Sequence, residues 1–248
     1  MRIKSEHVLR NVCMASVLEP IPEKVGCTTR KIDLKPSTKL EHFIIAGINI
    51  GWDFYKLAER IRKNDYKQPK IIYDISYKAQ NNSFNNRTGR KINFGIIELF
   101  VLIITSQLVY GYNGKETIDK ATDVLKNTTK LDVKWHYRFR KLAKSKSSFD
   151  ETALNLNVDN VYEYFLTVPK DRDNDIIFHN QILNGLPILK KAYKIMVKVA
   201  PTNNLLNASV YAYDSILKEC KNIPGVAADY ICMAMYLVIC GSPELKII

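Results

Sequence analysis

Apolar residues recur at three- and four-residue spacing along nearly the whole chain, and that period predicts helices. Over residues 40–63, Phe43, Ile44, Ile48, Trp52, Tyr55, Leu57 and Ile61 carry the repeat, while Glu41, Asp53, Lys56, Glu59, Arg60 and Arg62 fall largely between them. The same reading places helices over 6–18, 66–78, 115–126, 131–144, 158–168, 175–200, 205–221 and 227–240. Turn signals rich in Gly, Pro, Asn and Ser punctuate them at 81–89, 111–114, 145–148, 201–204 and 224–225. Alternation over a strand's length is scarce, so the expected fold is all-α, a single-domain multi-helix bundle with apolar central helices over residues 1–248. Thr128 or Thr129, and Thr202 or Asn203, stand where N-caps are expected.

Two stretches are apolar all round rather than on one face. Residues 93–112 contain Ile96, Ile97, Leu99, Phe100, Val101, Leu102, Ile103 and Ile104, and residues 226–240 form the second. Glu98 interrupts the first, and an acid near a bilayer centre costs about 2.5–3.5 kcal/mol. The second is short for a span, so both read as the buried centre of a bundle, with no membrane partner.

With 248 residues and 46% hydrophobic content, the chain can bury one large core. Its 37 Lys and Arg against 25 Asp and Glu give a net charge of +12, which favours anionic partners without choosing among them. The basic runs at 60–70 and 134–146 lie on helical spacing, where such runs usually form a solvated face. Five cysteines, Cys13, Cys27, Cys220, Cys232 and Cys240, include no CxxC pair. That argues against a disulfide framework or a zinc site and for small reduced core residues. The first ten residues lack an apolar stretch with a cleavage site, so a cytoplasmic location is expected.

Candidate chemistry concentrates in the loop at 19–33, where Glu19, Lys24, Gly26, Arg30 and Asp33 set isolated charges around a glycine. Lysine and arginine suit an anion, the arginine fork matching phosphate oxygens in pairs, and glycine lets the backbone approach a ligand. Asp175 and His179, four apart, share a helical face and could act as an acid–base pair. Gly225, after Pro224 at a helix start, could offer backbone N–H groups to an anion. Trp135, His136, Tyr137, Arg138, Phe139 and Arg140 interleave aromatic and basic residues, but consecutive helical positions point around the whole circumference. Nucleic acid is therefore disfavoured as a partner. No P-loop, GxSxG or HExxH motif is present.

Taken in order, four segments resemble the triphosphoribosyl-dephospho-CoA synthase family, which makes the prosthetic-group precursor of citrate and malonate lyase systems, and its archaeal relatives. Glu19, Lys24, Gly26, Arg30 and Asp33 follow the family's opening pattern, with Val25 where proline is usual and Cys27 where archaeal relatives tend to have asparagine. Asn93 and Gly95 remain from a Thr-Asn-Thr-Asn-Leu-Gly-like turn, which here reads Arg90-Lys91-Ile92-Asn93-Phe94-Gly95. Asp171, Arg172, Asp173, Asn174 and Asp175, then His179 and Gly185, resemble a later acidic–basic helix start. Pro224-Gly225-Val226-Ala227-Ala228-Asp229 keeps the Pro-Gly-x-x-Ala-Asp turn, whereas 201–207 lacks a Thr-Leu-Ile-x-Arg-Lys run.

The resemblance implies an enzyme that joins the ribose C1′ of ATP to the 2′-hydroxyl of dephospho-CoA and expels adenine. It implies Glu19, Asp175 and His179 as catalytic residues, and Lys24, Gly26, Arg30, Asn93, Gly95, Arg172 and Gly225 as nucleotide or phosphate ligands. Asp33, Asp175 and Asp229 become candidate ligands of Mg²⁺, an ion held by a few carboxylates together with nucleotide phosphates. Nucleotide and coenzyme-type small molecules are the expected partners, and homo-oligomerisation stays open. A relative that binds a nucleotide without turnover, and a basic RNA-binding helical protein, are the alternatives.

Overall fold

A computed structural model of the chain describes residues 2–33, 38–86, 92–142, 157–167, 173–242, 244 and 246–247, with backbone alone for 173–176. The order is α1 (Ser5–Leu18), α2 (Leu40–Lys63), α3 (Tyr73–Asn82), α4 (Phe94–Tyr110), α5 (Lys115–Asp119), α6 (Ala121–Lys126), α7 (Lys130–Leu142), α8 (Val161–Thr167), α9 (Asp173–Leu183), α10 (Pro187–Ile216) and α11 (Pro224–Gly241). Among the described residues there is no strand, and the fold is an all-α bundle.

The two apolar segments form its centre. Every residue of α4 from Ile96 to Leu108 is buried, and α11 is buried from Tyr230 to Ile239. The two helices run in the same sense: Gly95 meets Asp229 near their starts, and the Tyr236 hydroxyl donates to Gln107 Oε1 at 2.9 Å near their ends. Both N-termini therefore lie at one end of the bundle. At 18 residues α11 is longer than the 226–240 segment suggested and is long and apolar enough to cross a membrane, but the surroundings of its buried residues are protein. Around this centre, α1 and α10 flank α11, while α2, α3 and α6 flank α4.

Several boundaries differ from the sequence reading: the helix expected over 115–126 is two, α5 and α6, that over 175–200 breaks between α9 and α10, and that over 205–221 ends at Ile216. The helix expected over 66–78 starts only at Tyr73, after left-handed backbone at Asp65 (φ 51°) and Tyr66 (φ 58°). Its start is set by Asp132 of α7, whose Oδ1 accepts the Ile72 and Tyr73 N–H groups at 2.8 and 2.9 Å. The turn expected at 201–204 is a kink inside α10: the helix continues past Pro201 and breaks at Asn204 (φ 62°, ψ 169°). There Asn204 Oδ1, rather than Thr202 or Asn203, accepts the Asn207 N–H at 3.0 Å and starts the second half. Thr128 caps α8 instead of α7, its hydroxyl accepting the Val161 N–H at 2.8 Å.

Asp132 also gives a test of this packing. Burial, opposed by its backbone hydrogen bonds, lifts its carboxyl from the ordinary 3.8 to about 6. A folded-state pKa above the unfolded value means that the native state holds the proton more tightly, so stability is full below 3.8 and falls as pH rises through about 6. Urea titrations on either side of that window are expected to show wild type losing stability relative to Asp132→Asn as pH rises. Parallel pH dependence of the two proteins would contradict this account.

The α7 residues that suggested a nucleic-acid surface are largely core. His136, Tyr137, Phe139 and Arg140 are buried, leaving Arg138 exposed beside a half-buried Trp135. The basic stretch near the end of α2 lines an open groove of about 970 Å³ in which Arg60 is held by Asp74 at 2.7 Å. All five cysteines are free thiols; Cys220 and Cys232 are fully buried, the others half-buried.

Candidate active site

The loop after α1 folds over the end of the bundle where α4 and α11 begin. Gly26 has φ +76°, a left-handed conformation suited to glycine, and a Cβ added there would lie 2.5 Å from Pro224 Cγ. Loop and helix start are thus in contact with no room for a methyl group. Tyr213 of α10 anchors the same loop, its hydroxyl donating to the Val25 carbonyl at 2.6 Å while accepting from the Cys27 thiol at 3.5 Å.

A second glycine makes the next junction. A Cβ on Gly95, in the first turn of α4, would overlap Asp229 Oδ2 and sit 2.8 Å from Asp229 Cγ. Because no side chain intervenes, the Asp229 carboxylate reaches the open end of α4 and accepts the Ile96 N–H. A helix start supplies such donors and a partial positive charge. Asn93, just before α4, is in the left-handed region (φ 62°) and buried, and its side-chain amide nitrogen has no hydrogen-bond partner among the described residues. Two motifs far apart in sequence therefore meet at the Asp229 carboxylate.

Electrostatics tie in the first motif. Glu19 and Lys24 are both buried, with Lys24 Nζ 2.9 Å from Glu19 Oε1 and also donating to the Glu19 carbonyl. Asp229 is half-buried, and its proton affinity is raised well above the ordinary carboxylate range, chiefly by burial, then by the Glu19 charge, against the Ile96 hydrogen bond. Burial raises the Cys27 thiol as well; the Tyr213 hydroxyl, Glu19, Lys24 and Asp229 all influence it. The Glu19 charge thus acts on the Asp229 carboxyl, beside a lysine that Glu19 itself pairs.

Not every expected residue joins this cluster. Arg30 and Asp33 are exposed on the outer limb of the loop, without a hydrogen bond or ion pair to the cluster among the described residues. Gly225 is exposed, with nothing within 4 Å of an added Cβ. Arg172, and the turn residues Arg90 and Lys91, lie outside the described residues, as does the Asp175 side chain. His179 is fully buried on α9, stacked on Phe165 with ring centroids 4.4 Å apart. Among the described residues no group of three His, Cys, Asp or Glu could hold a metal ion.

One charged group escaped the sequence reading. Glu98, fully buried one turn into α4, has Oε1 2.7 Å from His136 Nε2 and Oε2 3.4 Å from Arg140 Nη1. Burial alone would raise its carboxyl, but His136, Arg140 and His179 more than offset that and hold it below its usual range. The rings of Tyr73, Tyr164 and Phe165 stand edge-on around the His136 imidazole at 5.1–5.5 Å. The available signal was a single acid in an otherwise apolar helix, since a buried acid requires partners.

The family model described as ATP:dephospho-CoA triphosphoribosyl transferase (CitG) matches residues 5–222. Fold and family together define an all-α transferase. The chain belongs to the ATP:dephospho-CoA triphosphoribosyl transferase family, the one its ordered motifs resemble. The match stops just short of Pro224, so Asp229 enters the site on the geometry of α11. Searches of curated proteins and of solved structures return no match.

Proposed function

We propose that the chain transfers the triphosphoribosyl group of ATP to the 2′-hydroxyl of dephospho-CoA at the end of the bundle formed by the 19–33 loop and the starts of α4 and α11. The observation that carries this reading is the pair of methyl-excluding contacts, Gly26 on Pro224 and Gly95 on Asp229, which gather three separated motifs around one raised carboxylate. In the reaction the bond from C1′ to adenine breaks and a bond from C1′ to the acceptor oxygen forms. The acceptor hydroxyl loses its proton and departing adenine gains one. Asp229 takes the hydroxyl proton, since its raised proton affinity brings it closer to a working base than an ordinary aspartate.

The α4 start, with the buried Asn93 amide, offers donors to an anionic or carbonyl group of the substrate. Lys24, as placed, is engaged by Glu19; contact with phosphate requires that pair to open. Glu19 and Asp229, close enough that one charge raises the other's proton affinity, form a carboxylate pair that a divalent cation arriving with the triphosphate would relieve. Mg²⁺ would supply neutralisation of phosphate charge there. The exposed Arg30 and Asp33 are free to engage the outer part of a long substrate.

Purified protein incubated with ATP, Mg²⁺ and dephospho-CoA is expected to release adenine and form the triphosphoribosyl product. No adenine release with any nucleotide acceptor would refute turnover. A second reading, a relative that binds without reacting, is favoured by the Glu19–Lys24 pair and by the departure at Arg90 and Lys91. Calorimetry separates the two, because ATP binding without product supports the second.

A further inference from the structure

The Glu98 cluster is a buried group of charges that the proposed reaction does not use. Its carboxylate joins three helices: it sits on α4, pairs with His136 and Arg140 of α7, and feels His179 of α9. Arg140 in turn lies over the Phe94 ring at 4.9 Å, and Phe94 stacks on Phe139 at 4.1 Å, so α7 grips the first residue of α4 as well. Two residues before Glu98, the Ile96 N–H holds the Asp229 carboxylate. One short piece of α4 therefore carries both the helix-locking acid and the contact that seats Asp229.

We propose that Glu98 is a positioning residue for this site: its carboxylate fixes α7 against α4 and so sets the α4 first turn on which Asp229 docks. This rests on the reading that Asp229 acts in the transfer. The other groups facing Glu98 are Tyr73 of α3 and Asp229 and Tyr230 of α11, and its charge raises the proton affinity of all three. A purely structural role would require only that the cavity be filled. A positioning role makes the ion pairs to His136 and Arg140 matter at the α4 first turn, where the Ile96 N–H holds Asp229.

Glu98→Gln fills the same volume without the charge, and Glu98→Asp keeps the charge. In amide hydrogen exchange, the Ile96 N–H that holds Asp229 is expected to exchange faster in Glu98→Gln and as slowly as in wild type in Glu98→Asp. The kcat for adenine release is expected to drop roughly ten- to a hundredfold in Glu98→Gln with the KM for ATP nearly unchanged, and to recover in Glu98→Asp. Should Glu98→Gln alone not fold, the pair Glu98→Gln with His136→Gln removes the opposing partner and is measured instead. Unchanged Ile96 exchange in the folded neutral variant, or a kcat loss matching only the folded fraction, overturns the inference. A wild type that releases no adenine defeats the transfer reading instead, while the exchange of Ile96 still decides whether Glu98 sets the α4 first turn.

Discussion

Asp229→Asn is expected to lower kcat for adenine release by about 10²- to 10⁴-fold, the usual contribution of a positioned general base. Asparagine keeps an oxygen for the Ile96 N–H and nearly the same volume against Gly95, so the fold should survive. Near-native circular dichroism and thermal unfolding would show that it does. The pH profile adds a second check. Asp229 must be ionised to accept a proton, and its proton affinity is raised, so wild-type kcat/KM should fall on the acid side well above the pH at which an ordinary aspartate titrates. A variant that keeps more than a small fraction of wild-type turnover would remove Asp229 from the chemistry.

The largest expected effect on stability is at Glu98. Glu98→Ala leaves His136 and Arg140, both buried, facing a cavity where their anion stood. Removing one member of a buried ion pair costs about 3–5 kcal/mol, because the remaining charge is uncompensated. Chemical denaturation should show that loss at neutral pH. The loss should shrink in Glu98→Ala with His136→Ala, since the orphaned imidazole is then gone. A single variant within about 1 kcal/mol of wild type would mean that water or relaxation compensates His136 and Arg140.

Helix identity was legible in the chain because the period of apolar residues is a local property. The α2 bounds, Leu40–Lys63, follow from the repeat directly, and α4 and α11 announce themselves by being apolar on every side. Where a boundary depends on a distant residue, the period fails. Ile72 and Tyr73 begin α3 because Asp132, 60 and 59 positions away, accepts their N–H groups. A local signal can mislead as well: Pro201 reads as a stop, yet α10 runs through it and breaks three residues later at Asn204, where the asparagine side chain supplies a new cap.

The site divides in the same way. Gly26 and Gly95 stood out through their motifs, and each proves to be a place where two chain segments touch without space for a side chain. Glu19, Lys24 and Asp229 stood out too, but the sequence could not show that Lys24 turns inward onto Glu19. Glu98 could be noticed only as an exception to an apolar run, since its partners lie 38 and 42 positions away.

The contact between Gly26 and Pro224 also limits how this chain can change. Any side chain at 26 meets the ring at 224 and must adopt a left-handed backbone. Replacing Pro224 with a smaller residue would relieve only the clash, because the positive φ at 26 strains any side chain whatever space surrounds it. Glycine at 26 is thus held by two independent constraints, and the loss of one leaves the other in force.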